Sequence, residues 1–160
     1  MRTEGTMVGS RAHLRGLLQA LADAVAGLDA GSYGTDGPTW RPARIGGEAT
    51  APSATRALEF WVDLGRRVTR LPAQLRFDSA VVFYHRMRAG QAEDDQAALH
   101  AAAWDVLRAV EGVRLQGARA VGGKGMPAWD VGRPVGPDGS PQPGWLEVHV
   151  QFHLLIDLEG

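Results

Sequence analysis

The sequence has no cysteine, which excludes a disulfide frame and a thiolate zinc site and leaves the redox compartment open. Lysine is nearly absent too: Lys124 stands against 16 arginines. Coding composition accounts for such a bias, although arginine also suits planar, bidentate and stacked contacts at interfaces. No apolar run approaches the ~20 residues that span a bilayer, and the N-terminal stretch holds no apolar block of signal-peptide type. Neither sign of charge dominates. With a net charge of -1, the strongly basic balance of a dedicated nucleic-acid binder is missing.

What is abundant is glycine and proline, 21 and 9 of 160 residues, where roughly 12% together is usual. A hydrophobic fraction of 44% with 22% charged residues is that of a globular chain rather than a disordered one. The length predicts a single domain over residues 1–160, large enough to bury a core without staples.

Leu14, Leu17, Leu18, Leu21, Val25 and Leu28 recur at helical spacing, which predicts an amphipathic helix over 11–28 with Ser10 as its N-cap and Gly31 beyond its end. Residues 1–9 are expected to form a flexible tail. Residues 31–52 read as a long loop with one short strand around 40–45. Leu58, Phe60, Val62 and Leu64 alternate with Glu59, Trp61 and Asp63, which predicts a strand over 57–64 closed by Gly65; a longer one is expected over 75–88. Glu93, Asp94 and Asp95 suit the positive start of a helix, and cap it in the simplest reading. Leu99, Ala102, Ala103, Val106, Leu107 and Val110 mark that helix, which ends near Gly112. A weak strand over 113–121 and a second long loop over 117–144 follow.

The last strand is the clearest element. Leu146, Val148, Val150, Phe152, Leu154, Ile156 and Leu158 alternate with Glu147, His149, Gln151, His153, Asp157 and Glu159, with Leu155 the one exception, as in a strand with one face covered and the other open. Together the elements predict an α+β fold. Its expected form is a four- or five-stranded, mainly antiparallel sheet with two helices packed on one face and two long Gly/Pro-rich loops.

Few residues invite catalytic chemistry. His149 and His153 share a strand face, but four residues along a strand span about 13 Å, too far for both rings to hold one ion at ~2.1 Å. His85 on a neighbouring strand could join them, and that trio is the only candidate ligand site. The run Gly122-Gly123-Lys124-Gly125 has Ala118 and Gly125 where a phosphate loop needs Gly and Ser or Thr. None of Ser10, Ser32, Ser53, Ser79 and Ser140 sits in a nucleophile elbow. No catalytic residue, cofactor or metal is expected.

Interaction surfaces are a stronger expectation. The glycines and prolines concentrate in 31–52 and 117–144, and connections longer than about 12–15 residues are uncommon inside compact domains unless they serve a function or are disordered. Both stretches carry tryptophan, a hot-spot residue together with arginine. The residues expected at subunit or partner contacts are Trp40, Arg41 and Arg44 in the first stretch and Met126, Trp129, Arg133 and Trp145 in or beside the second. Arg66 and Arg67 join them from the turn after the first strand. Charge is also segregated along the chain: 56–88 is rich in arginine, 93–111 in acids. A basic patch on one copy meeting an acidic patch on the next would give a head-to-tail contact of the kind that closes into rings.

The order of elements resembles the tail-terminator proteins of long-tailed bacteriophages. The likeness rests on the opening helix at 11–28, the strand pair at 58–64 and 75–87, the helix at 95–110 after its acidic turn, and the strand at 145–158. It implies a structural subunit without enzyme activity or cofactor, assembled as a six-fold ring at the head-proximal end of the tail tube. Implied partners are further copies of the chain, the tail tube protein and the head-closure or connector protein. Phage DNA would pass through the ring without specific binding, no membrane would be involved, and the protein would be assembled in the host cytoplasm and found in the virion. Another neck or tail-completion role, or a small-molecule-binding α+β domain, are the alternatives.

Overall fold

The computed structural model describes residues 7–28, 41–45, 59–135, 138–140 and 142–158. Its frame is a pair of long strands, β4 (Gln74–Arg86) and β8 (Trp145–Asp157), joined antiparallel. The helices are α1 (Arg11–Ala26) and α2 (Ala92–Glu111). The shorter strands are β1 (Arg41–Ile45), β2 (Glu59–Asp63), β3 (Val68–Arg70), β5 (Arg114–Leu115), β6 (Ala118–Gly122) and β7 (Trp129–Gly132). The main strand order is β1-β2-β4-β8-β6-β5, with β3 on β4 and β7 on β8.

The α+β class and the mainly antiparallel sheet are as expected, but among the described residues the strands number eight where four or five were predicted. Three of them, β3, β5 and β7, span two to four residues, too few for a period-two pattern to register. The stretch 113–121 is two strands, because Leu115 pairs with Ala118 across a tight turn at Gln116 and Gly117. The second expected loop, 117–144, likewise contains β6 and β7. β1 falls where a short strand was expected and pairs with β2 in parallel; the rest of 31–52 lies outside the described residues, as do residues 1–6 of the expected tail.

The helices obey their local signals. The Ser10 side chain accepts the His13 N–H at 3.1 Å, and α1 stops at Gly27, four residues before the Gly31 expected beyond its end. α2 begins at Ala92, so its acids lie inside the first turn. Both helices cover one sheet face. Leu17, Leu21 and Val25 of α1 and Leu99, Val106 and Val110 of α2 meet Phe60, Val62, Val81, Phe83, Val148, Val150, Phe152, Leu154 and Ile156. Ala102 and Ala103 are fully buried in α2, their small side chains allowing close approach to the sheet. His13 ties α1 to the β5–β6 turn: its Nδ1 accepts the Gly9 N–H at 2.9 Å, which leaves Nε2 to donate to the Gln116 carbonyl at 2.6 Å.

Each long strand changes neighbour midway. β4 pairs with β3 along 75–77 and with β2 along 80–83, while β8 pairs with β7 along 147–150 and with β6 along 152–156. At the first crossing the Asp78 N–H donates to the Arg67 carbonyl at 3.0 Å, and Ser79 Oγ donates to the Leu64 carbonyl at 2.8 Å. At the second, the Gln151 N–H donates to the Ala128 carbonyl at 2.9 Å.

Gly65 makes the first crossing possible. Its φ is +86°, its N–H donates to Asp63 Oδ1 at 2.8 Å, and an added Cβ would run into the Asp78 backbone carbonyl. Gly90 has a similar φ of +77° but nothing within 4 Å of an added Cβ. Gly90→Ala is therefore expected to cost about 1–2 kcal/mol for its left-handed backbone alone. Gly65→Ala should cost at least twice that, read as the shift in urea midpoint at unchanged m-value.

Candidate interaction surface

Alternation along β4 and β8 turns Arg76, Asp78, Ala80, Val82 and Tyr84 away from the helices, together with Glu147, His149, Gln151, His153 and Leu155. This open face has two ends of different character. At one, Trp61, Val82 and Tyr84 form a second buried cluster with Ala80 and Trp145 against it; the Trp61 and Tyr84 rings lie 6.0 Å apart. Trp61 was expected on the polar side of its strand, and it is on that side, but it is buried there by aromatic neighbours. At the other end Asp78 is the centre of a charge cluster, 3.3 Å from His153 Nε2, 3.5 Å from Arg76 Nε and 3.7 Å from Arg67 Nε. Burial, reinforced by Arg76, pushes the His153 imidazole below its ordinary pKa, and Asp78 opposes this. Between the two ends His149 bonds to Glu147, and Gln151 Nε2 donates to Asp130 Oδ2 at 2.7 Å.

The interface residues expected from sequence divide among three places. Arg66 and Arg67 are exposed in the β2–β3 turn, with Arg67 reaching Asp78. Met126 is half-buried, its Sδ over Gly123 beside His153, so Arg67 and Met126 flank the same charged end. Trp145 supports the apolar end of that face. Trp129 points the other way, into the helix layer, where its Nε1 donates to His100 Nδ1 at 2.9 Å and its ring meets Trp104 edge-on at 6.3 Å. Arg133 is exposed just past β7. Arg41 and Arg44 lie on β1 opposite Glu59 and Trp61 in register, and Trp40 falls outside the described residues.

Two further features escaped the sequence reading. Trp104 is 53% exposed on α2. It stands off the apolar stripe of that helix, a signal that was available. Arg114 and Arg119 are paired directly across the β5–β6 hairpin, a proximity legible only once the turn at Gln116 is known.

The histidine trio does not form. His85 pairs with Leu146 and shares the helix-facing side of β4 with Val81 and Phe83, opposite to His149 and His153. It is 2% exposed, and neither ring nitrogen has a hydrogen-bond partner among the described residues. Burial lowers its pKa; the nearby Asp95 backbone and carboxylate favour the charged ring, and Arg88 disfavours it. Asp95 is not a helix cap either. The N-cap is Gln91, which makes no side-chain cap bond, while the buried Asp95 carboxylate accepts the Arg88 N–H at 2.6 Å and Arg88 Nη2 at 2.6 Å. The Arg88 bonds hold the Asp95 carboxyl below the usual carboxylate range and clamp the corner from β4 into α2.

Among the described residues the serine hydroxyls show no convergent catalytic arrangement. Ser79 Oγ is committed to a backbone carbonyl and Ser140 Oγ to Asp138. Among the described residues there is no group of three metal-binding side chains, and no helix is long and apolar enough to cross a membrane. The described surface presents a charged and aromatic sheet face on one side and an indole pair on the other. No protein-family model matches the chain, and no curated protein is significantly similar to it.

Two changes test the β4–α2 corner. Asp95→Asn should lower stability by about 1–2 kcal/mol, since charge-assisted bonds are lost but Arg88 remains partly solvated. Because the His85 pKa is lowered on folding, the unfolded chain takes up its proton first as pH falls below the ordinary imidazole value of about 6.5, and stability drops with pH from there. The melting temperature should therefore decline from pH 7.5 to 5.5, and His85→Leu should make that decline shallower; an equal slope in the variant would refute the assignment.

Proposed function

We propose that the chain is a structural subunit that caps the head-proximal end of a bacteriophage tail tube as a six-fold ring, ends tube polymerisation and forms the joint to the head-closure protein. The observation that carries this reading is the two-layer body with distinct surfaces on both sides, the open sheet face and the Trp104–Trp129 pair. A capping subunit needs several distinct surfaces: two for its neighbours in the ring, one that copies the docking surface of the tube, and one that differs from it so that no further tube subunit can add. The α+β element order, which resembles the tail-terminator proteins, supports the same reading. A small-molecule site is disfavoured because His85 faces away from His149 and His153.

The test is negative-stain imaging of the protein mixed with purified tail tubes and tube subunits. A ring at one end of each tube, with tube length fixed once it binds, is the expected result. Tubes that keep elongating with no ring at either end would sink the capping role, and binding to the head connector without any effect on tubes would assign the chain to another position in the neck.

A further inference from the structure

The outward face of α2 is unusual for a solvated helix. Between the exposed Asp94 and Arg108, about 20 Å of helix at 1.5 Å per residue, the exposed positions are Gln96, Ala97, His100, Ala101 and Trp104, with no carboxylate or guanidinium among them. Solvated helix faces are ordinarily charged or polar. Trp104 ends this strip one turn before Arg108, backed by the edge of Trp129, and Glu93 and Asp94 border it at the helix start. Neither acid makes an ion pair within the described residues.

On the opposite layer, sheet register sets Arg76, Leu155, Arg119 and Arg114 side by side on four adjacent strands. Arg119 and Arg114 face each other directly, with roughly 5 Å between Cβ atoms, a like-charge pair that is unfavourable by itself. Both are exposed and neither has an acidic partner among the described residues. They border a shallow groove of about 390 Å³ lined also by Leu155 and by Asp157, whose carboxylate accepts Gln74 Nε2 at 2.9 Å. The row is thus an apolar centre flanked by guanidinium groups. The α2 strip carries both groups such a row can use, carboxylates at its start and an indole about 15 Å further along the helix, since arginine both stacks on tryptophan and pairs with carboxylate.

We propose that the Trp104 strip of α2, with Glu93 and Asp94, docks on the Arg119–Arg114 row of a second copy of this chain, joining the helix layer of one subunit to the open sheet face of the next. The inference deepens the capping reading by naming the joint between neighbouring ring subunits. Because the two surfaces lie on opposite layers of one body, each copy keeps one of them free after pairing, so the contact is head-to-tail.

Two variants of the full chain test it by sedimentation velocity: Arg114→Glu with Arg119→Glu, which lacks the row, and Trp104→Ala with Glu93→Gln and Asp94→Asn, which lacks the strip. Circular dichroism and melting temperature establish that each is folded. Wild type is expected to self-associate at low salt and to loosen as salt rises. Each variant alone should associate about tenfold more weakly or less. Mixed in equal amounts, they should form a 1:1 pair and nothing larger, since only one intact strip and one intact row remain between them. Wild type that stays monomeric at low salt, variants that assemble as wild type does, or a mixture that forms no pair would each overturn the joint. So would loss of single-stranded oligonucleotide binding in the Arg114→Glu, Arg119→Glu variant with self-association unchanged, which would make the row a nucleic-acid surface. The tube experiment separates the two readings: rings formed equally by the row variant remove the joint and leave the capping role, whereas a 1:1 pair from a protein that never touches tubes does the reverse.

Discussion

Everything in this molecule is referred to one ladder. β4 and β8 pair over their whole length, from Gln74 opposite Asp157 to Arg86 opposite Trp145, without a bulge. In an antiparallel pair the residues directly opposite share a face, so this register decides at once which side chains enter the core. Val81 meets Val150 and Phe83 meets Val148 under the helices, while Asp78 meets His153 and Val82 meets His149 on the other side. A slip of one residue in either strand would bring Asp78 or His153 under α2 and expel Phe83 or Phe152. Neither pattern alone is perfect, because β4 carries Val82 outward and His85 inward, but the two agree at enough positions to leave one register.

The ladder also explains why the open face is not uniform. Both long strands outlast their neighbours, and the changeovers at 78–79 and 151 fall almost opposite each other across the pair. Chain must enter or leave the sheet at those points. The turn bearing Arg66 and Arg67 does so beside β4, and the segment bearing Met126 does so beside β8. The charge cluster around Asp78 is therefore a product of topology, since Arg67, Arg76, Asp78 and His153 come from the β2–β3 turn, β4 and β8 and meet only because the sheet changes partners there.

This sets the limit on what could be read in advance. The 145–157 strand was legible because thirteen residues of alternation leave no other period, and α1 because Ser10 and the leucine stripe agree on where it begins. The strands β3, β5 and β7 were not, since elements of two to four residues are specified by the ladder they join rather than by any pattern of their own. The glycines and prolines of 117–144 suggested a single loop, but among the described ones Gly122 and Gly132 end β6 and β7 and most of the others lie in the turns between β5, β6, β7 and β8. The side-chain errors have the same origin. Asp95 looks like a cap until Arg88 is brought beside it by the β4–α2 corner, and His85 looks like a partner of His149 until the register sends it to the other face. Trp104 is the instructive case, because a tryptophan off the apolar stripe of a helix marks an exposed position without any knowledge of the fold.

Near-neutral net charge conceals this division of surfaces. Where opposite charges lie together, as Asp78 does with Arg67 and Arg76, they offset one another within the subunit and give little net attraction to a partner. Where they are kept apart, Glu93 and Asp94 on one layer and Arg114 and Arg119 on the other, they cannot meet within one chain, because the sheet itself stands between them. Two copies cannot satisfy both surfaces by a two-fold exchange unless each wraps around the other. Contact between opposite layers instead repeats from copy to copy, and whether it closes into a ring or runs on as a filament depends on the rotation relating successive copies. In a cap, closure is the essential outcome. In the proposed ring, with every strip and every row occupied by a neighbour, the two rims would remain to meet the tube and the head.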